Sequence, residues 1–143
     1  MVVLIDATNK ILGRLASVAA KVALKGEEII VFNAEKAAIS GDADSINDDY
    51  RAKITRGNVI KGPFISKLPD RLVRRTIRGM LPWDTSRGRE AFRRVHVFIS
   101  KPAELKGNLL EIKEIGIESL KNQKYILIED VCKKLGSKWQ GLR

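Results

Sequence analysis

The chain is poor in the side chains that most chemistry requires. Its 143 residues include one cysteine, Cys132, and one histidine, His96. A lone cysteine excludes an internal disulfide framework and fits a reducing compartment. One histidine and one cysteine cannot make up the usual zinc ligand sets. Neither Gly-x-Gly-x-x-Gly nor the phosphate-loop signature ending in Gly-Lys-Ser/Thr occurs, so no cofactor and no small-molecule substrate are expected. No apolar run reaches the ~18 residues needed to span a bilayer. The opening MVVLIDATNK lacks the basic start and long apolar core of a signal peptide. A cytoplasmic protein without membrane contact is expected. Aromatic residues make up 6% of the chain against 44% apolar residues overall, enough for a self-supporting core at this length. One domain over residues 1–143 is expected.

Acidic residues are also scarce, but only locally. Between Arg51 and Arg94 the acids are Asp70, Asp84 and Glu90, against 13 lysines and arginines, ten of them arginine. The rest of the chain carries 14 basic and 14 acidic residues, so the whole net charge of +10 resides in this stretch. Arginine presents a planar fork that grips phosphate in a bidentate way and stacks on bases, whereas lysine is a mobile point charge. A solvated face needs no such segregation. A concentrated arginine field points instead to a polyanion, most often nucleic acid.

The rest of the chain reads as a platform for that stretch. Val2 to Ile5 is a buried strand, and residues 10 to 25 repeat their apolar positions near 3.6. Thr8 or Asn9 is placed to cap this helix and Gly26 to stop it. Ile29 to Phe32 and the short Ala37 to Ile39 follow as second and third strands, a pattern of parallel crossover. Asp42 to Arg56 has acids in front and cations behind, which suits one exposed helix. Its Asp42, Asp44, Asp48 and Asp49 lack the spacing of a calcium loop. Gly57 to Ser66 is a loop, Pro69 begins a helix to about Arg78, and a further helix runs from about Ser86 to Arg94. Val95 to Ile99 is the fourth strand, with His96 a structural residue inside it. Leu109 to Ile117 is extended, and Leu127, Val131 and Leu135 mark a last helix closed by Gly136. Cys132 sits in that apolar pattern as a small buried side chain. Gly13, near the first strand–helix junction, eases packing there. The fold class is α/β, with a mostly parallel four-stranded sheet and an arginine-rich helical excursion before the last strand.

On the third helix Arg71, Arg74, Arg75 and Arg78 share one face, opposite Leu72, Val73 and Ile77. Four cations there repel each other by a few tenths of a kcal/mol per i,i+4 pair, a cost that an anionic occupant removes. Arg87, Arg89, Arg93 and Arg94 form a second cluster across the Gly79–Pro82 corner, and two basic faces at a bend make a concave phosphate cradle. Lys53, Arg56, Lys61 and Lys67 extend the field through a loop. Trp83 and Phe92 interleave with the cations, Phe92 as core and Trp83 open to stacking or packing. No helix-turn-helix, zinc finger or heptad dimer appears. Shape and phosphate reading of folded RNA therefore fits better than reading a DNA groove.

The run IRGMLPWDTSRGREAFRRVHVFIS, Ile77 to Ser100, resembles the signature of the large-ribosomal-subunit protein family thirteen. It carries Arg78-Gly79-Met80-Leu81-Pro82, Gly88 with Arg89, and the strand Val95 to Phe98. Asp6, Leu12-Gly13-Arg14-Leu15-Ala16, Asn33-Ala34-Glu35 and Ser40-Gly41 are similar as well, so the resemblance runs from about residue 2 to residue 100. The loop from Arg56 to Pro69 lacks the Tyr- and His-containing run of the bacterial form and looks like the archaeal and eukaryotic-cytosolic branch, as do residues 101 to 143. The resemblance implies a three-layer α/β/α core and a structural ribosomal protein without catalytic role. It also implies binding to 23S-type ribosomal RNA early in large-subunit assembly, among neighbouring large-subunit ribosomal proteins.

Phosphate contacts are then expected at Arg14, Arg56, Lys61, Arg71, Arg74 and Arg75, and at Arg78, Arg87, Arg89, Arg93 and Arg94. Gly79 and Gly88 would allow close backbone approach, while Met80, Leu81 and Phe92 hold the bend against the core. Two rivals stand beside this reading. A nucleotide-directed enzyme would need a convergent acid/base set, which is not found. Another structured-RNA or DNA-binding protein would share the charge but not the motif.

Overall fold

A computed structural model of the chain describes residues 1–139; the domain expected to residue 143 runs beyond them. Strand β1 (Val2–Asp6), helix α1 (Leu12–Leu24) and strand β2 (Glu28–Phe32) form where their apolar residues recur. The strands pair in parallel, Val2 opposite Glu28 through Asp6 opposite Phe32. Ile5, Ile29 and Val31 are buried against Leu15, Ala16, Ala19 and Ala23 of α1. Gly26 adopts a φ of +98° just past the helix, the left-handed turn expected of it.

The helix start departs from expectation. Neither Thr8 nor Asn9 caps α1; Ile11 holds that position and makes no side-chain bond. Thr8 turns back instead, its amide and hydroxyl both donating to Asp6 Oδ1 at 3.0 and 2.7 Å. The Ile11 amide donates to Ile115 O at 2.8 Å, and the Ile117 amide to Asn9 O at 3.0 Å. A distant segment thus supplies what a local cap would have supplied. It also explains why Leu109 to Ile117 is not one extended run. After the short strand β5 (Asn108–Leu109) come single turns at Lys113–Ile115 and Ile117–Ser119. Gly13 does not ease packing, since a Cβ there would meet nothing within 4 Å.

The fold is α/β, and its four-stranded sheet has the order β4-β2-β1-β5 with every pairing parallel. Its membership differs from the expected one. β3 (Ala38–Ser40) leaves the sheet and pairs antiparallel with β6 (Tyr125–Leu127). β2 has no edge left for it, being flanked by β1 and by β4 (Val95–Val97). Asn33, at a φ of +55°, also swings the chain away after β2.

Between β3 and β4 lie α2 (Ala43–Thr55), α3 (Pro69–Gly79) and α4 (Ser86–Arg93), the expected helical excursion. β4 is not the last strand, because β5 and β6 follow it. Helix α5 (Ile128–Lys134) closes the described chain, with Gly136 at a φ of +75°. Cys132 on α5 is buried, and that burial, with the Asp70 charge, pushes its thiol up to about 12. His96 is half exposed on edge strand β4, with Nε2 3.3 Å from Glu28 Oε1. Helix α1 packs against α3 and α4, and α2 against α5.

Candidate nucleic-acid interface

The interface begins with α3. Pro69 sits in its first turn, where its missing amide costs nothing, and Asp70 there and Arg78 in the last turn both complement the helix dipole. Leu72, Val73 and Ile77 are buried, while Arg71, Arg74, Arg75 and Arg78 are exposed on the other side. The two-sided reading of this helix is therefore what the structure has.

The corner that follows is held by its own chemistry. Thr85 caps α4, its Oγ1 accepting from the Gly88 amide at 3.2 Å and donating to Pro82 O at 2.8 Å. Gly88 is buried, and a Cβ on it would stand 2.0 Å from Pro82 O. The close approach that Gly88 permits is thus to the chain's own corner and not to an external backbone. Gly79 is exposed, and a Cβ on it would meet nothing within 4 Å, so its backbone is open to approach. Leu81 is buried as expected, but Met80 is 40% exposed, its sulfur accepting from the Ser17 hydroxyl at 3.3 Å. Met80 therefore does not anchor the bend in the core.

Because the corner is tight, it folds two aromatic rings back under α3. Arg78 lies over the Trp83 ring at 4.0 Å and Arg74 over Phe92 at 4.6 Å. The two rings meet edge to face at 5.3 Å. Trp83 therefore packs against protein and still keeps 37% of its surface exposed. From α2, Lys53 lies over Tyr50 at 4.8 Å, and burial raises the Tyr50 hydroxyl above its usual value, helped by the charges of Cys132 and Asp49. These pairs border a groove of about 600 Å³ between α2, the following loop, α3 and the corner, which Phe64 and Ile65 complete.

The expected cradle is thus built from one basic face and not two. Arg71, Arg74, Arg75 and Arg78 line the groove, but no arginine of α4 does. Arg87 is exposed on α4. The Arg89 side chain bends back to Thr85 O and Asp84 O at 3.4 and 3.3 Å. Arg93 and Arg94 line a separate depression with Glu28, Glu90 and His96. There Arg94 lies 4.0 Å from Glu90 and donates to Ala23 O at 3.4 Å. Helix α4 is short, and turning Ala91 and Phe92 inward leaves Arg93 and Arg94 aimed at the sheet edge. Arg56 ends α2, and Lys61 is exposed at a hairpin closed by Asn58 and Gly62, whose amides and carbonyls exchange bonds of 3.1 and 2.8 Å. Arg14 stands apart on α1, donating to Glu114 O and Ser119 Oγ.

Among the described residues, the only cation of the basic stretch paired with a carboxylate is Arg94. The remaining guanidinium groups are held by aromatic rings and carbonyls or extend outward, so their charge is uncompensated from within. Tyr50 and Phe64 escaped the sequence reading. A signal for Phe64 existed: an aromatic residue directly after Gly62-Pro63, inside the basic loop.

Comparison with known proteins agrees with the motif reading. The family model for ribosomal protein L13 matches residues 1–104. The chain is 47% identical over 134 residues to the large ribosomal subunit protein uL13 of Archaeoglobus fulgidus, covering 92% of this chain and 86% of that protein. It is 44% identical over 140 residues to uL13 of Methanopyrus kandleri, covering 96% and 88%. To uL13 of Methanosarcina barkeri it is 46% identical over 137 residues, covering 94% and 98%. With its signature corner, its parallel sheet and relatives matched over nearly their whole length, the chain belongs to the ribosomal protein L13 family.

Proposed function

We propose that this chain is a structural constituent of the large ribosomal subunit, that it binds 23S-type ribosomal RNA through phosphate contacts, and that it supports early subunit assembly and translation in the cytoplasm. Neighbouring large-subunit ribosomal proteins are its other partners, and it performs no catalysis. One observation carries the reading: four arginines of α3 line one groove without a carboxylate partner among the described residues. The aromatic rings under Arg74 and Arg78 hold two of these groups but carry no opposite charge, so the field attracts an external anion. Arg71, Arg74, Arg75 and Arg78 form the centre of the RNA contact, with exposed Gly79 beside them. Arg56, Lys61, Arg87 and Arg93 extend it to either side. Arg14, Arg89 and Arg94, each engaged with the chain's own carbonyls, serve at its margins.

The salt dependence of RNA binding tests this. Each neutralised phosphate contributes a slope of about −0.7 to −0.9 in log affinity against log salt. About six to ten contacts give a steep line. A slope no steeper than about −2 on large-subunit RNA would defeat the proposal, and equal competition by duplex DNA would favour a general polyanion binder.

A further inference from the structure

The groove under α3 is built for more than phosphate. Phosphate recognition calls for donors and charge, and these can stand on a flat, fully polar surface. Here the arginines border a floor of rings and aliphatic side chains, among them Trp83, Phe92 and Leu72. Phe64 stands at the edge with 73% of its surface exposed, beside a hairpin tip where Val59 and Ile60 are 91% and 84% exposed. Large apolar side chains left bare inside a basic field signal an occupant that is both anionic and apolar. A nucleotide with its base unstacked is such an occupant. A continuous A-form duplex is not, because it shelters its bases and offers phosphates and 2′-hydroxyls.

The arginines divide accordingly. Arg74 and Arg78 are stationed on Phe92 and Trp83 at 4.6 and 4.0 Å, which orders their planar groups at the groove wall. A base can continue such a stack on the guanidinium or on the exposed part of Trp83. Arg71 and Arg75 make no hydrogen bond or ion pair among the described residues and keep their donors for phosphate. At about 600 Å³ the groove is within the size range of small-molecule sites.

The geometry points to an extruded RNA nucleotide, its base stacked in the groove and its phosphate held by Arg71 and Arg75. This rests on the RNA-binding reading and narrows it to bulged or single-stranded positions. The test uses the full chain with Trp139→Phe, which leaves Trp83 as the reporter. The probes are a hairpin RNA with one bulged 2-aminopurine and the same stem fully paired. The bulged RNA binds about tenfold more tightly, with quenching of both 2-aminopurine and Trp83 emission. Trp83→Ala removes the preference, read as the ratio of the two affinities and the 2-aminopurine emission. Phe64→Ala, at an exposed site outside the core, weakens the preference without lowering the melting temperature. Equal affinity for the two stems with unchanged 2-aminopurine emission overturns the inference and leaves the phosphate reading standing. Absence of salt-dependent binding to either stem overturns both.

Discussion

Gly79 and Gly88 flank one corner, and their surroundings assign them opposite roles. At Gly88 an added methyl group would collide with the Pro82 carbonyl, 2.0 Å from the Cβ position. Both partners are backbone, so relief requires the corner itself to move. Gly88→Ala is expected to destabilise the fold by about 1–3 kcal/mol, lowering the melting temperature by about 2–4 °C for each kcal/mol. Gly79 meets nothing within 4 Å and lies in the last turn of α3. Gly79→Ala should leave the melting temperature unchanged or raise it, since alanine is the better helix former by up to about 1 kcal/mol. Its RNA affinity should fall because the backbone there loses its bare surface. A melting series of the two variants, with RNA titrations of Gly79→Ala, checks these outcomes, and a stable Gly88→Ala protein would contradict the corner geometry.

At the scale of the element, α3 shows how a cationic helix face is tolerated. Its spacing alone balances like-charge repulsion of a few tenths of a kcal/mol per pair against an external anion. The structure adds an internal contribution, since two of the four guanidinium groups cover aromatic rings. Cation–aromatic contacts at exposed sites contribute about 0.5–1 kcal/mol each. Arg74→Ala with Arg78→Ala should therefore weaken RNA binding strongly and cost no more than about 1–2 kcal/mol in urea unfolding. Trp83 emission should shift as its cover is removed. A loss well above that range would assign the pair to the core. The amphipathic face of α3 was legible because helix period alone sets it. The partners of its arginines were not, because Trp83 and Phe92 reach them only through the tight Pro82–Thr85 corner.

Across the whole molecule, the platform is held at the carboxyl ends of its central strands by Asp6. Burial acts to raise this carboxyl, but the Thr8 amide, Asn33 and the Thr8 hydroxyl outweigh it and hold it below the ordinary aspartate value, with Lys36 assisting. Asn33 Nδ2 donates to it at 3.0 Å, joining the end of β1 to the end of β2. A carboxyl whose value is lowered by folding adds stability above its unfolded value of about 3.9. That stability is lost as pH falls through the lowered folded value. Asp6→Asn should thus cost on the order of 1 kcal/mol at pH 7, and the gap to the parent should close towards pH 2. Urea midpoints of the two proteins at pH 7, 4 and 2 measure this. A gap independent of pH would remove the charge from the account.

Features carried by local spacing or local charge could be read without any fold in view. The first strand–helix–strand unit follows from apolar period, the α3 face from arginine spacing, and the proposal of a polyanion partner from the segregation of arginine into one stretch. Whatever depends on distant neighbours needed the folded chain. Folding moved β3 out of the main sheet because both edges of β2 were taken, and it brought residues 115–117 to the start of α1 in place of a side-chain cap. It also turned Arg93 and Arg94 away from the groove while carrying Phe64 and Trp83 into it. Spacing along a chain fixes which side of an element a residue occupies, whereas what that side faces is set by the other elements folded against it.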